Sequence, residues 1–466
     1  MKANENGSAT RAPRIDGGGR YRRSNPGVPR KTLKRTQRER LLDATVELSA
    51  KRGFHAVSIT ELCARAGVSP ATFYEHFQSK EECFLAAYRF CAEAIFGPMR
   101  AAASTGEWTQ AAGRALDALL GGLQADPDAG RLLFIEALGA GPAIRGERTR
   151  VLLEFERRTE GLLEGTPADA QMPDVPLMAV IGALRHIISR HLRTDAEDQL
   201  PALLDDGLRW LSAYAVPGGQ ERWSTSPKAL LAAGGPTSSP ASFSPETLPP
   251  GTHGLSAGAI ARSQRTRLIF ATAEVMMAKG YQGAKVADIV AAARVARPVF
   301  YEHFADKEQA FLEAQQHPTQ FILDRCAEAY FSADEWPERM WRHVQTLLGL
   351  ISENPALSHL RLVECYAAGP VAIRRAEEIT RAFTIFLEEG YHQGPKAGSL
   401  PRLWSHAITG AIFEIIQRHG TAAEWTELPR LLPQLTYIAI APFTGPSRAV
   451  ELVEEMKARE PALPRA

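Results

Sequence analysis

TQRERLLDATVELSAKRGFHAVSITELCARAGVSPATFYEHFQSKEECFLAAY, residues 36–88, decides the fold. Leu41, Leu42, Thr45 and Leu48 fall on one helical face, so a helix runs from Arg38 to about Lys51 and stops at Gly53. Ser58-Ile59-Thr60-Glu61 reads as a capping box, with Ser58 as N-cap and Glu61 reaching back. A second helix therefore opens at Ser58 and ends near Gly67, whose backbone freedom suits a tight turn. A third begins at Ser69 and runs only about seven residues, through Glu75. Ser79-Lys80-Glu81-Glu82 is another box, opening a fourth helix.

The same stretch occurs twice. Phe73-Tyr74-Glu75-His76-Phe77 returns as Phe300-Tyr301-Glu302-His303-Phe304, and at this offset of 227 residues 36–87 show 21 identities in 52 positions. Leu268, Ile269, Thr272 and Val275 repeat the helical face, and Asp306-Lys307-Glu308-Gln309 repeats the second box. After one inserted residue the match continues: Glu136 with Glu364, Gly141-Pro142 with Gly369-Pro370, Gly182-Ala183 with Gly410-Ala411, and Arg190-His191 with Arg418-His419. A whole unit of about 180 residues is duplicated, not a motif alone.

Helix, helix, tight turn, short helix is an arrangement in which the third helix enters the DNA major groove, its first residues facing base edges. Those residues should be small or hydrogen-bonding, and in the first copy they are Ser69, Pro70, Ala71 and Thr72. Tyr74 and His76 are placed for phosphates, and Lys80 adds charge at a helix N-terminus. Arg38 and Ser58 complete the expected contacts of this head.

Residues 36–88 and again 263–314 resemble the N-terminal domain of the TetR family of bacterial transcriptional regulators. The resemblance implies an all-α fold: in each unit a three-helix reading head joins, through a fourth helix, a larger bundle that binds a small ligand and dimerises through its last two long helices. It also implies that ligand binding shifts the heads and releases DNA. The second copy departs from the pattern. Gly67 becomes Arg294, Ser69 becomes Ala296, Thr72 becomes Val299 and Ser58 becomes Lys285. Arg297 takes the place of Pro70, and arginine is the commonest reader of guanine. Arg265, Lys285, Arg297, Pro298, Tyr301, His303 and Lys307 are the expected contacts of this head, with a different base preference; loss of DNA reading by this unit is the second expectation.

The expected organisation is a disordered basic arm (1–35), a first head (36–83) and bundle (84–217), a flexible linker (218–262), a second head (263–310) and bundle (311–446), and a tail (447–466) that is one short charged helix, Glu451 to Arg459, ending in Pro-rich sequence. Residues 1–40 hold twelve cations against three acids, although the whole chain is nearly balanced at Lys+Arg 54 and Asp+Glu 53. Such an arm either solubilises the chain or contacts the DNA backbone. The last helices, about 176–193 and 199–215, are expected to pack on about 402–419 and 427–441. That would form an intramolecular pseudo-dimer on an asymmetric operator, with further homo-oligomerisation also open.

Five cysteines show no metal-type spacing, no nucleophile elbow or phosphate loop occurs, and no apolar run reaches the roughly 18 residues of a membrane span. The expectations are therefore no enzyme, catalytic residue, metal, cofactor or membrane, and a cytoplasmic protein that joins the nucleoid when bound to DNA. The partners expected are a double-stranded DNA operator and a small-molecule effector of unknown identity. A ligand-responsive repressor is the leading reading. The alternative is a ligand receptor or interaction module in which one or both heads no longer read DNA.

Overall fold

The computed structural model of the chain describes residues 30–102, 107–163, 171–217, 256–393, 395–421 and 425–459. The first unit comprises α1 (Arg30–Arg52), α2 (Ile59–Ala66), α3 (Pro70–His76), α4 (Lys80–Ala102), α5 (Trp108–Ala125), α6 (Pro127–Arg131), α7 (Ala137–Gly139), α8 (Pro142–Leu163), α9 (Leu177–Arg193) and α10 (Leu204–Ser212). The second comprises α11 (Ala257–Gly283), α12 (Val286–Ala293), α13 (Arg297–His303), α14 (Lys307–Gln316), α15 (Thr319–Tyr330), α16 (Trp336–Glu353), α17 (Pro355–Leu362), α18 (Pro370–Ala382), α19 (Pro395–Gly398), α20 (Leu403–Thr421), α21 (Leu432–Thr444) and α22 (Pro446–Arg459). The fold is all-α. A small antiparallel ribbon pairs β1 (Gln171–Pro173) with β2 (Ala215–Pro217), Met172 facing Val216. Strands of three residues are too short to leave a period-two pattern, which is why none was expected.

Three boundaries differ from the sequence reading. The first helix begins at Arg30, inside the stretch read as arm. The second unit begins at Ala257, where Ser256 Oγ accepts a hydrogen bond from Ala259 N at 3.2 Å; composition hid an Ala-rich first turn inside the linker. The charged tail is largely α22, whose Ala449, Val453 and Met456 recur at helical spacing and are buried. Residues 1–29 of the arm, 218–255 of the linker and 460–466 of the tail lie outside the described residues.

The heads are anchored differently. In the first unit one apolar core runs without a break from Leu41 and Phe73 in the head to Leu123, Leu132 and Leu192 in the bundle. In the second, the head core of Leu268, Phe300 and Phe311 extends only to α17, the turn after it and the start of α18. The remaining bundle core of the second unit takes in Ala179, Ala183, Ile187, Trp210 and Tyr214 of the first. The two units thus share an interior, held mainly by burial of apolar surface at roughly 1.5–3 kcal/mol per large side chain.

Helices α9 and α20 cross at Gly182 and Gly410. A Cβ on Gly182 would strike Glu414 and the Gly410 carbonyl, and a Cβ on Gly410 would strike His186. Arg185 Nε donates to Glu414 Oε2 at 2.6 Å and Arg148 Nη2 to Glu414 Oε1 at 3.0 Å. Burial raises the Glu414 carboxyl's pKa, but the two guanidiniums outweigh it and hold the group at about 2. Arg418–Glu156, Arg145–Glu364 and Arg193–Glu377 also bridge the units, and Tyr214 OH donates to the Ile438 carbonyl at 2.9 Å. These pairs are one-sided. The repeat places Phe413 at the position of Arg185 and His186 at that of Glu414, so the reciprocal contact has no ion pair.

Candidate nucleic-acid interface

Both heads form the expected helix-turn-helix, by different local means. In the first, Glu61 N donates to Ser58 Oγ at 3.2 Å while Ser58 N donates to Glu61 Oε2 at 2.8 Å, closing the capping box. These bonds and Arg52 hold the Glu61 carboxyl at about 2. Gly67 then adopts φ 64° and ψ 42°, and Val68 N donates to the Cys63 carbonyl, closing the turn. Ser69 Oγ accepts from Thr72 N at 3.1 Å and lies 3.0 Å from Thr72 Oγ1. Pro70 stands at the first helical position, where its missing N–H is no loss.

The second head reproduces this backbone with fewer bonds. Half the box survives, Lys285 N donating to Asp288 Oδ2 at 3.1 Å. Arg294 takes φ 53° and ψ 48°, the left-handed conformation that glycine adopts without strain. The side chain of Arg267 supports it, Nη2 reaching the Arg294 carbonyl at 3.3 Å. Ala296 offers no side-chain cap.

Ser69, Pro70 and Ala71 are exposed at the start of α3, with Thr72 half-buried beside them; Arg297 and Pro298 are exposed at the start of α13. Tyr74 is 58% exposed and Tyr301 49%, too open for core residues. The Arg297 guanidinium lies 5.9 Å from the Tyr301 ring, with Nη2 3.4 Å from the hydroxyl, so the two form one exposed surface. His76 and His303 are half-buried beside Phe77 and Phe304, at 6.4 and 6.3 Å between ring centroids. Ser58 and Lys285 are exposed at the start of α2 and α12. Arg38 stacks 5.3 Å from the Phe77 ring. Arg265 stacks likewise on Phe304 at 5.7 Å but is also ion-paired with Glu313, where the first unit has Ala86.

The two lysines expected to meet phosphate do something else. Lys80 Nζ donates to the carbonyls of Phe54 and Val57, both at 2.9 Å, and sits 4.4 Å over the Phe54 ring. Lys307 Nζ donates to Tyr281 and Ala284 at 2.6 and 3.1 Å, over the Tyr281 ring. Desolvation lowers the pKa of both ammoniums. Their charge is committed to the elbow at the end of the first helix of each head, which in the second head is the kink at Gly280, and this leaves the N-terminal amides of α4 and α14 as the groups there suited to an anion.

The same elbow is gripped from the bundle. Glu136 Oε2 accepts from Phe54 N at 3.1 Å, and His55 Nε2 lies 2.8 Å from the Gly139 carbonyl. In the second unit Glu364 Oε2 accepts from Tyr281 N at 2.7 Å, and Gln282 Nε2 donates to the Ala367 carbonyl at 3.2 Å. The signal in the sequence for these two acids is the repeat itself: each recurs together with the positive-φ glycine it faces, Gly53 or Gly280. The acids differ electrostatically. Burial pushes the Glu136 carboxyl up to about 7. Burial acts on Glu364 too, but His359, the Tyr281 amide and Arg145 together bring it below its ordinary value.

The sequence model described as "Bacterial regulatory proteins, tetR family" matches residues 41–87 and 268–314. The chain is 26% identical over 191 residues to the HTH-type transcriptional regulator TcmR of Streptomyces glaucescens, covering 39% of this chain and 83% of that protein. It is 34% identical over 99 residues to the HTH-type transcriptional activator FasR of Mycolicibacterium smegmatis, covering 21% of this chain and 45% of that one. Among solved structures, the transcriptional regulator FadR of Bacillus subtilis, in complex with stearoyl-CoA, aligns with 16% identity and a TM-score of 0.34, over 38% of this chain and 97% of that one. Among the described residues no helix is long and apolar enough to cross a membrane.

Proposed function

We propose that this chain, which carries the TetR-family N-terminal domain twice, is a ligand-responsive transcriptional repressor whose two unlike heads read one asymmetric operator as a pseudo-dimer within a single polypeptide. The observation that carries the reading is the one-sided seam between α9 and α20. A true two-fold interface would be self-complementary, each contact made twice. Here Arg185 meets Glu414, while two first units would bring Arg185 against His186 and leave buried guanidiniums without acids. An uncompensated buried charge is strongly destabilising, so unlike units pair in preference to like ones.

Base reading falls to Ser69, Pro70, Ala71 and Thr72 in the first head and to Arg297 and Pro298 in the second. Tyr74, His76, Tyr301, His303, Arg38, Arg265, Ser58, Lys285 and the first amides of α4 and α14 serve the backbone. Because the base-facing residues differ, the two half-sites differ. The test is a gel-shift assay with the DNA upstream of the chain's own gene, paired with a reporter under the same promoter. The expected result is a shift that salt weakens and lower reporter output with the protein present. Higher output would make it an activator, the role named for the FasR relative. No shift would favour a receptor whose heads no longer read DNA.

A further inference from the structure

The seam between the units also walls a cavity of about 60 Å³ in the second bundle. Its apolar side is formed by Ile322, Leu347, Phe383 and Phe413. Its polar side carries three arginines, Arg185 and Arg193 from the first unit and Arg361 from the second, against one acid, Glu377. Two of the arginines are satisfied, Arg185 by Glu414 and the Tyr366 hydroxyl, and Arg193 by Glu377. Arg361 is not. Its Nη2 reaches Thr319 Oγ1 at 3.4 Å, its Nε has no hydrogen-bond partner, and among the described residues no carboxylate lies within ion-pair distance. Desolvation brings its pKa down to about 10. A desolvated cation facing a cavity without a counter-charge is costly, and an anion in the cavity removes that cost.

We infer that this cavity binds a small carboxylic acid, its carboxylate bidentate on Arg361 and its apolar body against Phe383 and Phe413, and that this acid is the effector. The inference rests on the proposed function only in calling the ligand an effector. Geometry sets the size: at roughly 10–15 Å³ per water site the cavity holds a handful of waters, which suits a small aromatic or branched acid. Planar pairing favours a carboxylate, whose two oxygens match the guanidinium fork. The first unit has Leu133 at the position of Arg361, so its bundle offers no such cation there. Arg361 lies in the last turn of α17, which packs on α11 of the second head, and the 3-10 turn Glu364–Tyr366 follows after Val363. That turn holds Tyr281 N through Glu364 and also lines the cavity through Tyr366. A bound acid therefore acts first on the second head, whose core is separate from the rest of its bundle.

The test is thermal unfolding of the full chain with benzoate, phenylacetate and isovalerate, each against its neutral amide and against inorganic phosphate. At about 5 mM at least one acid should raise the midpoint by about 2 °C or more, while its amide and phosphate do not. Arg361→Met should abolish the shift and leave the ligand-free midpoint at or above that of the wild type. Ala376→Leu, which adds bulk to the cavity wall and leaves the Arg361 residue in place, should abolish it too. No shift with any acid, an equal shift with an amide or phosphate, or a shift that persists in either variant overturns the assignment. Unfolding needs no DNA, so a failure of the operator reading leaves this result standing. With the gel-shift complex, the active acid should release the DNA; release by its amide would contradict the effector role.

Discussion

The two reading heads share a backbone and differ in what holds it. The first uses residues suited to each position: a serine capping box, glycine in the left-handed turn, and a second serine capping the recognition helix. The second keeps the same dihedral angles with half a box, an arginine at the turn and an alanine at the cap. Tertiary packing of Phe300, Phe304 and Phe311 supplies what local bonds do not. A head's shape is over-determined by its core, while its first exposed residues are free to change. The second head has used that freedom to place Arg297 where the first has Pro70.

The two units differ most in energy at the seam. Glu414→Ala should lower stability by about 3–5 kcal/mol in chemical denaturation, because it strands both Arg148 and Arg185. An effect near zero would mean that the one-sided pairing does not select unlike units.

Next is the pair of elbow acids, which should answer pH in opposite senses. The Glu136 pKa in the folded chain, about 7, lies above its ordinary 4.5, so the folded chain keeps a proton that the unfolded chain has lost between those values. Stability should therefore fall as pH rises through that window, by up to roughly 3 kcal/mol, and level off above it. Glu364 is shifted down, so its contribution is present above the ordinary carboxylate range and is lost as pH falls through its folded value. Glu136→Gln should flatten the first dependence in a pH series of unfolding midpoints, and Glu364→Gln should not.

Smaller effects sharpen the contrast between the heads themselves. Arg297→Ala should cost about 1–3 kcal/mol at the half-site of the second head and relax its base preference, with the other half-site unchanged in a mutated-operator titration. Ser69→Ala should destabilise the chain by about 1 kcal/mol through the lost cap. Arg294→Gly should be neutral to stabilising by about 0.5 kcal/mol, since relief of the left-handed strain is partly offset by backbone entropy in the unfolded chain. Chemical denaturation reads both.

Much of this was legible in the chain. The repeat, the helix order of each head and the box at Ser58 follow from local spacing and from self-similarity, which need no tertiary information. The roles of Lys80 and Lys307 did not follow, because a lysine at a helix start reads the same whether it faces a phosphate or folds back over Phe54 or Tyr281. The charged helix of the tail was legible from Glu451 to Arg459, but its docking was not, because its three buried positions, Ala449, Val453 and Met456, are diluted by glutamates. The one-sided ion pairs at the seam join residues more than 200 positions apart, and no local pattern records them. Glu136 and Glu364 lie between these cases: the repeat singled them out, and only the fold gave them a partner.

In the proposed pseudo-dimer one chain reads one asymmetric site. Selection of bound DNA from a random pool by the full chain, with the mass of the purified complex measured, tests it directly. The expected result is a sequence with two unlike half-sites, bound by a single polypeptide. A palindrome bound by two polypeptides would contradict it.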